Sequence, residues 1–170
     1  MTSRPAQPNC SVARALAALG DEWTLLILRE AFLGTRRFAD FQVELGISKN
    51  VLASRLRHLV KHQVLETVDA GHYGKRLEYQ LTPRGKDLST LFTALRQWGD
   101  RWIFGQGSEP LLVYDRRTDR PVPELRIIGE DGKPLRGRDL VMRPGPGATR
   151  ETLDRFQRAS LTRSDSAAER

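Results

Sequence analysis

The stretch Arg36 to Leu81, RRFADFQVELGISKNVLASRLRHLVKHQVLETVDAGHYGKRLEYQL, constrains the fold more than any other part of the chain. Phe38, Phe41 and Leu45 recur at helical spacing in the segment Arg37 to Leu45, and Gly46 and Ile47 interrupt it. Ser48 is suited to cap a second helix that the pattern carries to about His62. Helix, tight turn and helix in this order make helix-turn-helix punctuation. On a helical wheel the second segment divides into an apolar side (Leu52, Leu56, Leu59, Val60) and a polar side (Asn50, Ser54, Arg57, His58, Lys61). One side is built to pack inward and the other to meet a partner. Val64 to Val68 and Leu77 to Leu81 then read as two strands around the polar, basic tip AGHYGKR, which makes a wing.

The flanking sequence supplies what such a unit packs against. Residues 1–9 form a short polar, Pro-containing arm, and Ser11 to Leu19 is a small helix with Val12, Ala15, Leu16 and Leu19 on one face, ended by Gly20. Asp21 is placed to cap Glu22 to Leu33, a segment apolar around most of its circumference and therefore expected at the centre of a core. Past the wing, Thr82 and Pro83 supply a cap and a first-turn proline for one long helix reaching about Trp102. Its stripe of Leu88, Leu91, Phe92, Leu95, Trp98 and Trp102 is either ordinary core or, with Leu16 of the first helix, the interface to a second subunit.

Composition changes at the stretch GQGSEP, a linker. LLVY, ELRII and DLVM beyond it are strand candidates, with EDGK as a hairpin turn between the last two. Thr149 to Leu161 reads as one more amphipathic helix capped by Thr149, followed by nine residues expected to be disordered. The expected architecture is mainly α with a β wing: an arm at 1–9, a winged helix-turn-helix domain at 10–105, a small β-rich appendage at 106–148, and a helix with a tail at 149–170.

Charge narrows the function. The chain carries 28 Lys and Arg against 21 Asp and Glu, a formal +7, which favours a polyanionic partner where the cations cluster. They cluster here: Ser48, Lys49, Asn50, Ser54, Arg55, Arg57 and Lys61 on or beside the second helix, Arg36 and Arg37 before the first, and Lys75 and Arg76 at the wing. A helix of this width fits the major groove of double-stranded DNA. There Asn and Arg make bidentate bonds to adenine and guanine edges while Lys and first-turn amides hold phosphates. No apolar run approaches the ~20 residues that span a bilayer, and the start MTSRPAQPNC has no signal-peptide core, so a cytoplasmic, nucleoid-associated protein without membrane contact is expected.

As a set, CSVARAL, GDEWTLLILRE, LGTRRFADF, GISKNVLASRLRHL, LEYQLTPRG and LRQWGDRW, in that order from Cys10 to Trp102, resemble the HxlR-type (DUF24) winged-helix transcription regulators, related to the MarR group. The resemblance implies a homodimer joined through its first and long C-terminal helices, with paired recognition helices reading an inverted-repeat operator, most often as a repressor. Family wings commonly carry proline between the strands, whereas this tip has two glycines. The resemblance also implies a role for Cys10, the single cysteine, which matches the position where several family members sense electrophiles or oxidants. Cys10 begins the first helix, where backbone amides and the helix dipole favour negative charge, and Arg14 follows one turn on. Without a second cysteine, such sensing would use an intersubunit or mixed disulfide, or S-alkylation.

Other chemistry has little support in the residues. His58 and His62 have the i, i+4 spacing of a metal pair but no recognisable third ligand, and no phosphate loop, nucleophilic triad or cofactor motif is recognisable, so neither an enzyme nor a cofactor protein is expected. Three rival readings remain: a winged helix serving as a protein-interaction module, a small enzyme with its pocket in the β appendage, and a ligand-responsive regulator whose effector binds at the dimer interface or that appendage.

Overall fold

The computed structural model describes residues 9–71 and 76–158. One compact unit runs from Ala15 to Leu125, and the described residues 9–14 and 126–158 belong to a second. The first unit carries the helix-turn-helix and its wing.

Helix α1 (Ser11–Leu19) stops at Gly20, whose φ of +86° is left-handed. A Cβ there would sit 2.5 Å from Thr24 Oγ1, so conformation and space both require glycine. Asp21 then caps α2 (Glu22–Leu33): its carboxylate accepts from Thr24 N at 3.2 Å, and its own N–H donates to Thr24 Oγ1 at 3.4 Å. Ile27, Leu28 and Ala31 of α2 are buried, as expected of a central helix. Helix α3 (Phe38–Leu45) starts one residue later than the spacing predicts, because Arg37 adopts the extended backbone of an N-cap. Gly46, at φ +58°, ends it, and Ser48 caps α4 (Lys49–Lys61) by accepting from Val51 N at 3.4 Å.

The core lies beneath α4. Leu52, Leu56 and Leu59 are fully buried with Ile27, Leu28 and Phe41, and the wing contributes Val64, Leu65 and Leu81. Each such leucine removed from water stabilises by roughly 1.5–3 kcal/mol. The chain reverses out of α4 at Gln63, a left-handed non-glycine residue (φ +56°), with Val64 N bonded back to Leu59 O at 2.9 Å. Strands β1 (Leu65–Asp69) and β2 (Leu77–Leu81) pair antiparallel, with Leu65 opposite Leu81 and Asp69 opposite Leu77. Backbone N–H groups of Arg76 and Gly71 donate to the Asp69 carboxylate, close the base of the wing and hold that carboxyl below its ordinary range. The wing is fixed to the α2–α3 connection by Tyr79 N, which donates to Arg36 O at 2.8 Å.

The long helix expected from Pro83 to Trp102 is instead three pieces. Helix α5 (Pro83–Lys86) is capped by Thr82 as the sequence predicts, α6 spans Ser89–Gly99, and a wider π turn covers Asp100–Phe104. Leu88 N bonds Gly85 O, three residues back, which tightens the first junction. Gly105 N reaches five back to Asp100 O and widens the last.

After Gly105 the chain returns along α6. Arg96 Nη1 donates to Leu111 O at 2.6 Å, the Gln97 amide bonds Pro123 O and Leu125 N, and Arg101 pairs with Glu124. A minimal hairpin, β3 (Tyr114–Asp115) with β4 (Arg120–Pro121), lies within this segment, so of LLVY only the tyrosine is strand. The sequence places a break at residue 105, whereas the compact unit continues to Leu125.

In the second unit, β5 (Ile127–Ile128) pairs with β6 (Pro134–Leu135) across the EDGK turn. DLVM was expected as that hairpin's second strand and is not one. Asp139 Oδ2 accepts from Arg136 N at 2.8 Å and closes a 3-10 turn (Gly137–Asp139), leaving Leu140 to Met142 irregular and exposed. Thr149 caps a helix at 150–158, with Thr152 N donating to its Oγ1 at 3.4 Å, and Asn9 Oδ1 accepts from Thr149 N at 3.1 Å. Most of the N-terminal arm, residues 159–161 of the expected helix and the tail fall outside the described residues.

Candidate nucleic-acid interface

Helix α4 is amphipathic in the sense that matters for recognition: its apolar side is used up in the core and its polar side is open. Lys49, Asn50, Arg57 and Lys61 are exposed, and Ser54 is half-buried between them. Positions 50, 54, 57 and 61 fall at four- and three-residue steps and so form one stripe. The Lys49, Arg57, Lys61 and Arg76 side chains form no ion pair with any described residue, which leaves their charge for a partner. Ser48 is occupied as the N-cap of α4.

Three further cations predicted from sequence, Arg36, Arg37 and Arg55, are engaged within the fold. Arg36 donates through Nη1 to Ala31 O at 3.3 Å, tying the end of α2 to the connection that follows. Arg37 pairs with Glu78 of β2 at 3.6 Å. Arg55 makes a two-pronged contact with Asp21, Nε to Oδ1 at 3.0 Å and Nη2 to Oδ2 at 2.5 Å. Burial alone would raise the Asp21 carboxyl, but hydrogen bonds from Arg55 and Thr24 outweigh it and hold it below the usual aspartate value. Lys75, at the wing tip, lies outside the described residues.

His58, assigned by the wheel to the open side, is half-buried, with Nε2 3.1 Å from Ala18 O and its ring against His62 at 4.4 Å between centroids. Desolvation, the His58 ring and the charges of Lys61 and Arg84 push the His62 imidazole below its ordinary value. No group of three metal-ligating side chains occurs among the described residues.

The stripe on α5 and α6 resolves into two sides. Leu88 and Phe92 pack onto the core, Phe92 with its ring 5.3 Å from that of Phe32. Leu91, Leu95, Trp98 (58% exposed) and Trp102 (70% exposed) face solvent, as does Leu16 of α1. No residue of α6 is fully buried. Sequence reasoning missed Asp21 as the partner of Arg55, and Arg96 and Gln97 as anchors of the segment after Gly105. An aspartate at a helix cap and an arginine 34 residues later form no recognisable pattern.

Among the described residues no helix is long and apolar enough to cross a membrane. The profile of the HxlR-like helix-turn-helix family matches residues 18–106. The HTH-type transcriptional regulator Rv3095 of Mycobacterium tuberculosis is 38% identical over 137 residues, covering 81% of this chain and 87% of that protein. That match is too long to end at residue 106, so it extends into the C-terminal segment. Among solved structures, PA1607, described as a candidate transcription factor, is 41% identical with a TM-score of 0.74, covering 82% of this chain and 97% of its own. PA1374 of Pseudomonas aeruginosa, described likewise, is 32% identical with a TM-score of 0.59, covering 86% and 99%. With the winged helix, the open polar side of α4 and these likenesses in agreement, the chain belongs to the HxlR-like helix-turn-helix family, whose members are transcriptional regulators and not enzymes.

Proposed function

We propose that the protein is a homodimeric repressor that occupies an inverted-repeat operator through α4 and leaves it on a chemical signal. The observation that carries this reading is the division of α4: Leu52, Leu56 and Leu59 are sealed in the core while Lys49, Asn50, Arg57 and Lys61 stand exposed without ion pairs among the described residues. A cationic helix in the major groove reads bases through Asn50 and Arg57 and holds phosphates through Lys49 and Lys61. The exposed Leu91, Leu95, Trp98 and Trp102, with Leu16, form the contact between two copies. Two-fold symmetry then sets half-sites about one helical turn apart, ~34 Å.

Cys10 is the proposed trigger. It is partly exposed at the start of α1, and as the only cysteine it responds through an intersubunit or mixed disulfide or by alkylation. A second place for a signal is the open cleft of about 500 Å³ between α6 and the returning segment, lined by Arg96, Gln97, Asp100, Arg101, Glu109 and Glu124.

The test is a gel shift of the purified protein on DNA upstream of its own gene, with and without diamide or methylglyoxal. Binding that a reagent relieves, with relief lost in Cys10→Ser, supports both the regulator and its trigger. Binding that neither relieves keeps the repressor and moves the signal to the α6 cleft. No binding at low salt overturns the reading in favour of a protein-interaction module.

A further inference from the structure

Resting on the reading of α4 as the DNA-contacting helix, we infer that Arg55 and His58 are positioning residues: they fix the recognition helix to the α1–α2 corner, and neither touches DNA. Arg55 and His58 lie three residues apart on one flank of α4, and both reach the same short corner. The Arg55 guanidinium grips both oxygens of Asp21, and His58 Nε2 meets Ala18 O. Between these two anchors stands Gly20, whose backbone conformation and lack of space admit no side chain.

The physical need for such a tether follows from what else holds α4. Its fully buried residues Leu52, Leu56 and Leu59 set which side of the helix faces inward, but hydrophobic burial is non-directional and does not pin the fine roll. A bidentate guanidinium–carboxylate contact is directional, because two parallel hydrogen bonds fix distance and plane together. The Asp21 carboxylate that receives Arg55 also caps α2 through Thr24, so one group sets the start of α2 and the roll of α4. The roll decides which atoms Asn50 and Arg57 present to a base pair.

Asp21 makes the inference testable, since its negative charge works against DNA binding on simple electrostatics. Wild-type protein first enriches a duplex from a random pool, and affinities are then measured for that duplex and for random-sequence DNA. Asp21→Asn retains an N-cap side chain but loses the charged grip. It should bind the enriched duplex about tenfold more weakly, within the range for residues coupled in one network. Random DNA should be bound as well as before or better. Arg55→Gln should show the same loss on the enriched duplex, and the double variant no more than either. His58→Phe, which keeps ring bulk without Nε2, should lose affinity in the same direction by less, and it serves if Asp21→Asn does not fold.

If Arg55→Gln weakens binding while Asp21→Asn leaves it unchanged or stronger, Arg55 contacts DNA and the inference is overturned. An unchanged His58→Phe overturns the part assigned to His58. If wild type enriches no sequence, the DNA-binding reading falls and this inference with it.

Discussion

Helices α4 and α6 are both amphipathic, of 13 and 11 residues, and they finish folding in opposite states. In α4 three leucines are wholly out of water and the polar side is out. In α6 the polar groups of Arg96 and Gln97 are spent inside the chain, on Asp100, Leu111, Pro123 and Leu125, while Leu91, Leu95 and Trp98, with Trp102 of the π turn that follows, stay exposed. A helix with its polar side outward is complete as a folded element and presents chemistry to a dissimilar, charged partner. One with its apolar side outward has left its burial unfinished, and a second copy of the same surface is the simplest way to complete it.

The sharpest attack on this contrast is truncation in α4's core. Leu56→Ala should cost about 2–5 kcal/mol of unfolding free energy, read by denaturant titration, because a closed core cannot collapse around the lost volume. Trp98→Ala should do something different in kind. Unfolding of the single chain should change little, while self-association measured by sedimentation weakens by about 2 kcal/mol, as for an aromatic anchor at an interface. A Trp98→Ala protein that loses stability in the monomer instead would make the α6 stripe ordinary core. On the polar side, Arg57→Ala should cost about 1–3 kcal/mol of specific DNA binding and relax sequence preference at one position, measured against a panel of base substitutions. Uniform weakening across the panel would make Arg57 a phosphate contact.

The smallest expected effect is on pH. The unfolded His62 takes up its proton near 6.5, and the folded one resists until a lower pH. Unfolding is therefore favoured as pH falls below 6.5, and above it the His62 contribution is fully present. The Asp21 carboxyl acts in the same direction further down, its contribution being present above 3.8 and lost as pH falls through its lower folded value. Between pH 7 and pH 5 the melting temperature of wild type should fall further than that of His62→Gln, which has no proton to gain, and parallel curves would dismiss the His62 part.

How much of this could be read beforehand depended on how local the interactions are. Gly46, Ser48 and the leucines of α4 act over three or four residues, so their spacing displays their roles. Arg55 looked like a member of the cationic cluster because its partner stands 34 residues upstream, and His58 because its partner is a backbone carbonyl, which no side-chain pattern reveals. The α6 stripe was visible as a whole, but which edge enters the core depends on where Phe32 waits for Phe92. The turn after α4 uses a left-handed glutamine where a glycine would have announced it. Residues 111–125 are held chiefly by side chains of α6, and the strands described after Gly105 are two residues long, so β-forming runs such as LLVY and DLVM overstated the sheet.

The most direct test of the account is hydroxyl-radical footprinting of the full-length protein on the duplex it enriches from a random pool. Two protected regions related by a two-fold axis, with centres about 34 Å apart, are the result expected of paired α4 helices joined through α6. A single unsymmetric patch, or no protection at low salt, would contradict it.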